Sequence, residues 1–168
     1  MINVVLYEPE IPQNTGNIMR TCMIFKMKLH LIEPIGFFLD DKHLKRSHMD
    51  YIDKLDYVIY KNYDDFKEKN KIGQFVYFSR YGMKSFENCV FNKEQDIYLL
   101  FGKESTGIPK SILKDHLDET YRIPMNSEAR SLNLSNCVAI VAYECRRQLG
   151  FEDLSRTEVF KGADWLLK

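Results

Sequence analysis

The stretch that decides the fold is Arg122-Ile-Pro-Met-Asn-Ser-Glu-Ala-Arg-Ser-Leu-Asn-Leu-Ser-Asn136, where small polar side chains crowd the passage from a strand into an apolar helix. Beyond it, Val138, Ala139, Val141 and Ala142 recur at helical spacing as a face for burial, and the helix runs to Leu149 with Gly150 as its stop. Ser131, Asn133, Ser135 and Asn136 bring hydroxyls, amides and the unpaired N–H groups of a helix start into one small volume. Beside them an Ile-Pro-Met bend leaves carbonyls free to accept. A capping role explains one such residue; four at close spacing are the pattern of a junction built to hold something polar.

Working outward, strand and helix signals alternate. Residues 3–7 are a short β-branched and aromatic run, 17–27 carry helical spacing, and 28–32 return to strand, a βαβ opening. Residues 41–48 read as a short charged helix, 57–60 as a strand, 63–70 as a helix and 75–79 as a strand, with no clear pattern from 81 to 94. Residues 96–101 read as a strand buried on both faces, followed by a glycine turn and a helix begun by Pro109. The last strand is expected over 119–123, the longest helix over 133–149, and a helical tail over 151–168. No repeat or low-complexity linker divides the chain. The order predicts one α/β domain, residues 1–168, with a mostly parallel sheet flanked by helices.

Composition sets limits. The 168 residues carry 24 Lys plus Arg against 24 Asp plus Glu, so a generally basic surface is excluded and nucleic-acid binding needs a local patch. Cys22, Cys89, Cys137 and Cys145 show neither CxxC nor zinc spacing, which fits reduced thiols in a cytoplasmic protein and no metal. The first residues have no basic region and meet an acid at Glu8, and no apolar run approaches membrane-spanning length. Neither secretion nor membrane insertion is expected.

Ligands of open parallel sheets bind beyond the carboxyl ends of strands, and three loops occupy that position. The first, Glu8-Pro-Glu-Ile-Pro-Gln-Asn-Thr-Gly-Asn17, carries two prolines and Gly16 as a hinge, and leads to Arg20 on the first turns of a helix, placed to meet an anion. The second, Gly102-Lys-Glu-Ser-Thr-Gly107, lets backbone N–H groups approach a ligand and adds the acid Glu104. Its glycines have P-loop spacing, but Ile108-Pro109 stands where Lys-Ser/Thr is required, and no GxGxxG follows the first strand. The third is the 122–136 segment.

Asn14-Thr-Gly-Asn-Ile-Met-Arg20, Leu100-Phe-Gly-Lys-Glu-Ser-Thr-Gly-Ile-Pro109, and Ile123-Pro-Met continuing to Arg130-Ser-Leu-Asn-Leu-Ser-Asn136 resemble, in order, the three motifs of the SPOUT superfamily of RNA methyltransferases. The resemblance covers nearly the whole chain. It is specifically to small tRNA ribose 2'-O-methyltransferases that act on the wobble nucleotide, position 34, a cytidine or uridine. It implies a C-terminal trefoil knot, S-adenosyl-L-methionine as methyl donor with S-adenosyl-L-homocysteine as product, tRNA as partner and a homodimer with Trp165 as one interface candidate. General folding rules argue against a knot, so this expectation comes from the resemblance alone.

The resemblance also implies site roles. The donor would lie against the backbone of Phe78, Gly102, Ile123 and Ser131, with Met125 and Leu132 walling the adenine. At Phe78, ring stacking on a purine and plain core packing both remain open. Transfer of a methyl group to a ribose hydroxyl needs alignment and a weakened O–H bond rather than a metal. Arg20, too strongly protonated for a ready base, would hold the neighbouring phosphate and stabilise the developing alkoxide, with Asn14 and Glu104 organising the loop around it. Tyr143 would lie near the site. For RNA contacts the residues themselves offer Lys42, His43, Lys45 and Arg46, and Arg146-Arg147, each also readable as a solvated face. His30 and His116 read as structural. Two other readings stay open: ribose methylation of rRNA or another tRNA position, and an RNA-binding module without catalysis.

Overall fold

The computed structural model describes residues 1–38 and 55–168. The helix expected at 41–48, with Lys42 and Arg46, lies outside the described residues. Seven strands, β1 (Ile2–Tyr7), β2 (Lys28–Ile32), β3 (Tyr57–Tyr60), β4 (Gln74–Phe78), β5 (Lys84–Ser85), β6 (Ile97–Phe101) and β7 (Thr120–Arg122), form one sheet in the order β3-β2-β1-β6-β4-β7-β5. Every strand pair in it is parallel. Among the described residues the α-helices are α1 (Pro12–Ile24), α2 (Tyr63–Lys69), α3 (Lys110–Lys114) and α4 (Leu134–Gln148).

β6 sits between β1 and β4, and all five of its residues are buried, the burial on both faces that its continuous apolar run requires. Strand alternation sorts its side chains: Leu99 and Phe101 join Val4, Leu6 and Val76 on one face, and Tyr98 and Leu100 join Val5 and Tyr77 on the other. The first face is covered by α1 and α4 through Ile18, Met19, Cys22, Val138, Val141, Ala142 and Cys145. On the second face Phe66 of α2 and Leu113 of α3 complete the core.

That second face carries a polar chain inside the apolar packing. His30 Nε2 bonds Asn3 Oδ1 at 3.0 Å and its Nδ1 bonds the Tyr60 hydroxyl at 2.8 Å, so the proton sits on Nε2 and Tyr60 donates. Asn70 donates to the Tyr60 hydroxyl and accepts from the Tyr98 hydroxyl. Burial, then the nearby Lys28 charge, pushes the His30 pKa down to about 4. His30 is structural, as expected. So is His116, stacked on Tyr77 at 4.4 Å and bonded to Glu119.

Several boundaries differ from expectation. α1 begins at Pro12, five residues before 17, because proline at the first helical position has a fixed φ and no N–H left unsatisfied. Gly16 is therefore buried within a helix and is no hinge, and Arg20 stands in the third turn, not the first. β7 holds three residues where five were expected. The tail forms turns and one short 3-10 segment, Trp165–Leu167, in place of a continuous helix. Four cysteines are free.

Candidate active site

The sheet order sets β1, β6, β4 and β7 side by side, so the loops leaving their carboxyl ends meet over one edge, where the chain switches direction across the sheet. They enclose a cavity of about 750 Å³, within the range of small-molecule sites. Its inner wall is apolar, with Phe101, Ile123, Leu132 and Leu134; polar groups come from Asn14, Glu104, Ser131 and Asn133.

One hydrogen-bonded chain ties three of the loops together. The Glu104 carboxylate accepts from the backbone N–H groups of Glu10 (2.9 Å) and Ile11 (3.2 Å) and from the Asn14 amide (2.9 Å). Asn14, buried, accepts in turn from the Asn133 amide at 3.0 Å. Asn133 caps α4, its Oδ1 accepting from the N–H groups of Ser135 and Asn136 and from the Ser135 hydroxyl. A carboxylate between two backbone donors and an amide, and an amide between a second amide and a helix start, leave no slack between the loops.

A second set of contacts locks the first loop to the 102–107 turn. Glu10 accepts from the Ser105 N–H and hydroxyl at 2.9 Å each, and Lys103 pairs with Glu8 at 2.8 Å. The turn closes on itself through Gly107 N–H to the Lys103 carbonyl. A Cβ on Gly102 would stand 2.1 Å from the Gly107 carbonyl carbon, so only glycine fits there.

Of the residues singled out from sequence, Asn14, Glu104, Phe78, Gly102, Ile123, Met125, Ser131 and Leu132 all line this cavity. Phe78 is 8 % exposed, stacked on Phe101 at 5.0 Å and edge-on to Phe86, so its ring belongs to the core and the strand end, not the ring face, is what it offers a ligand. Cys137 also lines the cavity, but burial pushes its thiol up to about 11, which keeps it neutral. Arg20 and Tyr143 do not line it. Six residues past Asn14, Arg20 stands about 9 Å farther along α1 and roughly 120° round it. Arg20 is exposed, and Tyr143 is exposed on α4, packed against Phe25 and Phe151. Arg146 caps α1, donating to the Phe25 and Lys26 carbonyls at 2.7 Å each. Among the described residues no group of three or more His, Cys, Asp or Glu could hold a metal ion.

One wall of the cavity carries no local signal in the sequence. Ser79, Arg80 and Tyr81, after β4, line the cavity together with Arg130. The strand-end rule would have found this fourth loop had the place of β4 beside β6 been known.

Comparison with known proteins agrees with this arrangement. The description of the SpoU rRNA Methylase family matches residues 1–143. The tRNA (cytidine(34)-2'-O)-methyltransferase of Saccharophagus degradans is 46% identical over 152 residues, 90% of this chain and 97% of that protein. A structure solved for insights into the 2-OH methylation of C/U34 on tRNA superposes with a TM-score of 0.82 at 41% identity, covering 89% of this chain and 96% of that one. The SpoU methyltransferase AviRb of Streptomyces viridochromogenes, in complex with the cofactor AdoMet, gives a TM-score of 0.72 at 25% identity, over 88% of this chain and 57% of that one.

Proposed function

The chain belongs to the SpoU methylase family, and from that premise we propose that it methylates the ribose 2'-hydroxyl of the wobble nucleotide of tRNA, position 34, cytidine or uridine. S-adenosyl-L-methionine is the donor. The observation that carries the reading is the Glu104–Asn14–Asn133 chain, which fixes the motif loops around one cavity. Relatives of this size that share nearly the whole chain carry out this reaction by name, which favours tRNA over rRNA and favours an enzyme over a bare RNA-binding module.

The cavity fits the donor. Ile123, Met125, Leu132 and Leu134 offer an apolar slot for a purine, and Gly102, without room for a Cβ, brings backbone polar groups to the ligand. Bound there, the sulfonium supplies an electrophilic methyl group. In the transfer the methyl's bond to sulfur would break as its bond to the ribose oxygen forms, S-adenosyl-L-homocysteine leaving and the hydroxyl proton passing to solvent. The chain's own part is to shield the sulfonium with the apolar wall, to hold the ribose hydroxyl in line, and to meet the negative charge that grows on its oxygen. No metal takes part in this scheme. We assign the charge-stabilising role to Arg20.

Because α1 turns Arg20 away from the cavity of its own protomer, that role requires a homodimer in which Arg20 reaches the partner's cavity. The exposed side of α1 and the exposed Ile140 and Tyr143 of α4 are the surface on which we place the second copy. The knot implied by the family belongs to the same reading. We take residues 1–168 as one domain, with 151–168 a tail, acting in the cytoplasm.

The test of function is methylation of an anticodon stem-loop by the purified protein with S-adenosyl-L-methionine, followed by nucleoside mass spectrometry and site mapping. A 2'-O-methylated nucleotide at position 34 is expected; methylation at another position, or none, overturns the reading. The shared site has its own test. Mixed dimers of Arg20→Ala with Gly102→Val, each inactive alone, should recover about a quarter of wild-type activity, since half the dimers are mixed and each carries one intact site. No recovery means that Arg20 serves its own subunit.

A further inference from the structure

The turn after β4 carries two side chains that nothing in the donor-binding scheme uses. Arg80 lies over the Tyr81 ring at 4.6 Å and donates to its hydroxyl, while the tyrosine remains 66% exposed. Both residues line the cavity. The turn itself is pinned: Ser79 N–H donates to the Tyr121 carbonyl at 3.0 Å, Gly82 N–H to the Ser79 carbonyl at 3.1 Å, and Tyr81 N–H to the Ser79 hydroxyl at 3.2 Å. Arg122 donates to the Arg80 carbonyl at 2.7 Å, and the Gly82 backbone lies hard against β7. Among the described residues neither Arg80 nor Arg130, which lines the same cavity, forms an ion pair with a carboxylate.

A tyrosine held on a rigid turn, covered by a guanidinium and otherwise facing water, adds little to the core. It has the form of a stacking platform for a base, with ordering costs already met by the turn. An arginine without a carboxylate partner supplies what a phosphate next to that base needs. We propose that Arg80 and Tyr81 bind a nucleotide flanking the one that is methylated, Tyr81 stacking on its base and Arg80 meeting its phosphate. The inference rests on the function proposed above and adds the residues that read the RNA at the mouth of the cavity. The inner apolar wall is left to the donor.

The test uses the full-length protein with an anticodon stem-loop that is either intact or abasic at one nucleotide flanking position 34. Tyr81→Ala should raise the KM for the intact RNA about 10-fold, with kcat and the affinity for S-adenosyl-L-methionine within about twofold of wild type; Tyr81→Phe, which keeps the ring, should stay within about twofold throughout. The abasic RNA should weaken wild-type binding about 10-fold and leave Tyr81→Ala unchanged. Arg80→Ala should reduce the salt slope of RNA binding by about one phosphate. Equal KM in wild type and Tyr81→Ala overturns the proposal. So does a loss of donor affinity matching the loss of RNA affinity, which would make the pair part of the donor site. If the wild type binds the stem-loop without methylating position 34, the proposed function fails, and the RNA Kd of Tyr81→Ala against wild type still decides the platform.

Discussion

Two polar networks occupy different places, one within the second face of the sheet and one in the loops beyond the carboxyl ends of its strands. The Asn3–His30–Tyr60–Asn70–Tyr98 chain sits mainly on strands, buried among the aromatic side chains of Phe66, Phe75 and Tyr77, with its groups satisfied by one another. The Glu104–Asn14–Asn133 chain joins loops and helix starts, and its members line a cavity. Polar groups that close on themselves inside a core specify the fold. Polar groups that end at open space position a ligand. We assign stability to the strand network and recognition to the loop network, and perturbing each should separate the two.

The largest effect is expected from acid. His30 titrates near 6.5 in the unfolded chain and at about 4 in the folded one, so between those values the unfolded state binds more protons. Stability is full above about pH 6.5 and falls by about 3 kcal/mol as pH drops toward 4. Denaturant titrations at successive pH values measure this, and His30→Phe should lack that part of the slope. Donor affinity per folded molecule should not follow His30, since the loop network contains no histidine. A parallel loss would mean that the two networks are coupled through the sheet.

Glu104→Ala probes the other side. It leaves the Glu10 and Ile11 N–H groups and the Asn14 amide without their acceptor, and donor affinity should fall about 100-fold, read by calorimetry, with a smaller change in Tm. If Tm falls steeply while donor affinity holds, the loop network is structural after all. The smallest effect is expected at Asn133. Asn133→Ala removes the α4 cap and should cost about 1 kcal/mol of stability, with a donor affinity several-fold weaker through release of Asn14; thermal melts and calorimetry on the same samples separate the two losses.

The strand face was easier to read from sequence than the loop face. β6 is five apolar residues bounded by Asp96 and Gly102, and α4 has a cap, a helical stripe and a glycine stop, so local pattern settles both. The start of α1 was misplaced because Pro12 has two meanings, a rigid loop or a first helical position, and only packing against α4 chooses. The turn at Ser79–Gly82 went unrecognised because its importance depends on β4 lying beside β6, and strand order is not written in local sequence. The motifs brought Asn14, Glu104 and the 122–136 segment to notice as separate features; that one hydrogen-bonded chain links them is a tertiary fact. Arg20 marks the same boundary, since a motif can name an arginine without placing it, and Arg20 does not line the cavity of its own chain.

Whether these loops together form a seat for a methyl donor is decided by titrating S-adenosyl-L-methionine into the wild-type protein and Glu104→Ala in a calorimeter. Saturable binding at one donor per chain is expected for the wild type, and about 100-fold weaker binding for the variant. A wild-type protein that is folded and gives no heat, or a variant that binds as tightly as the wild type, would contradict it.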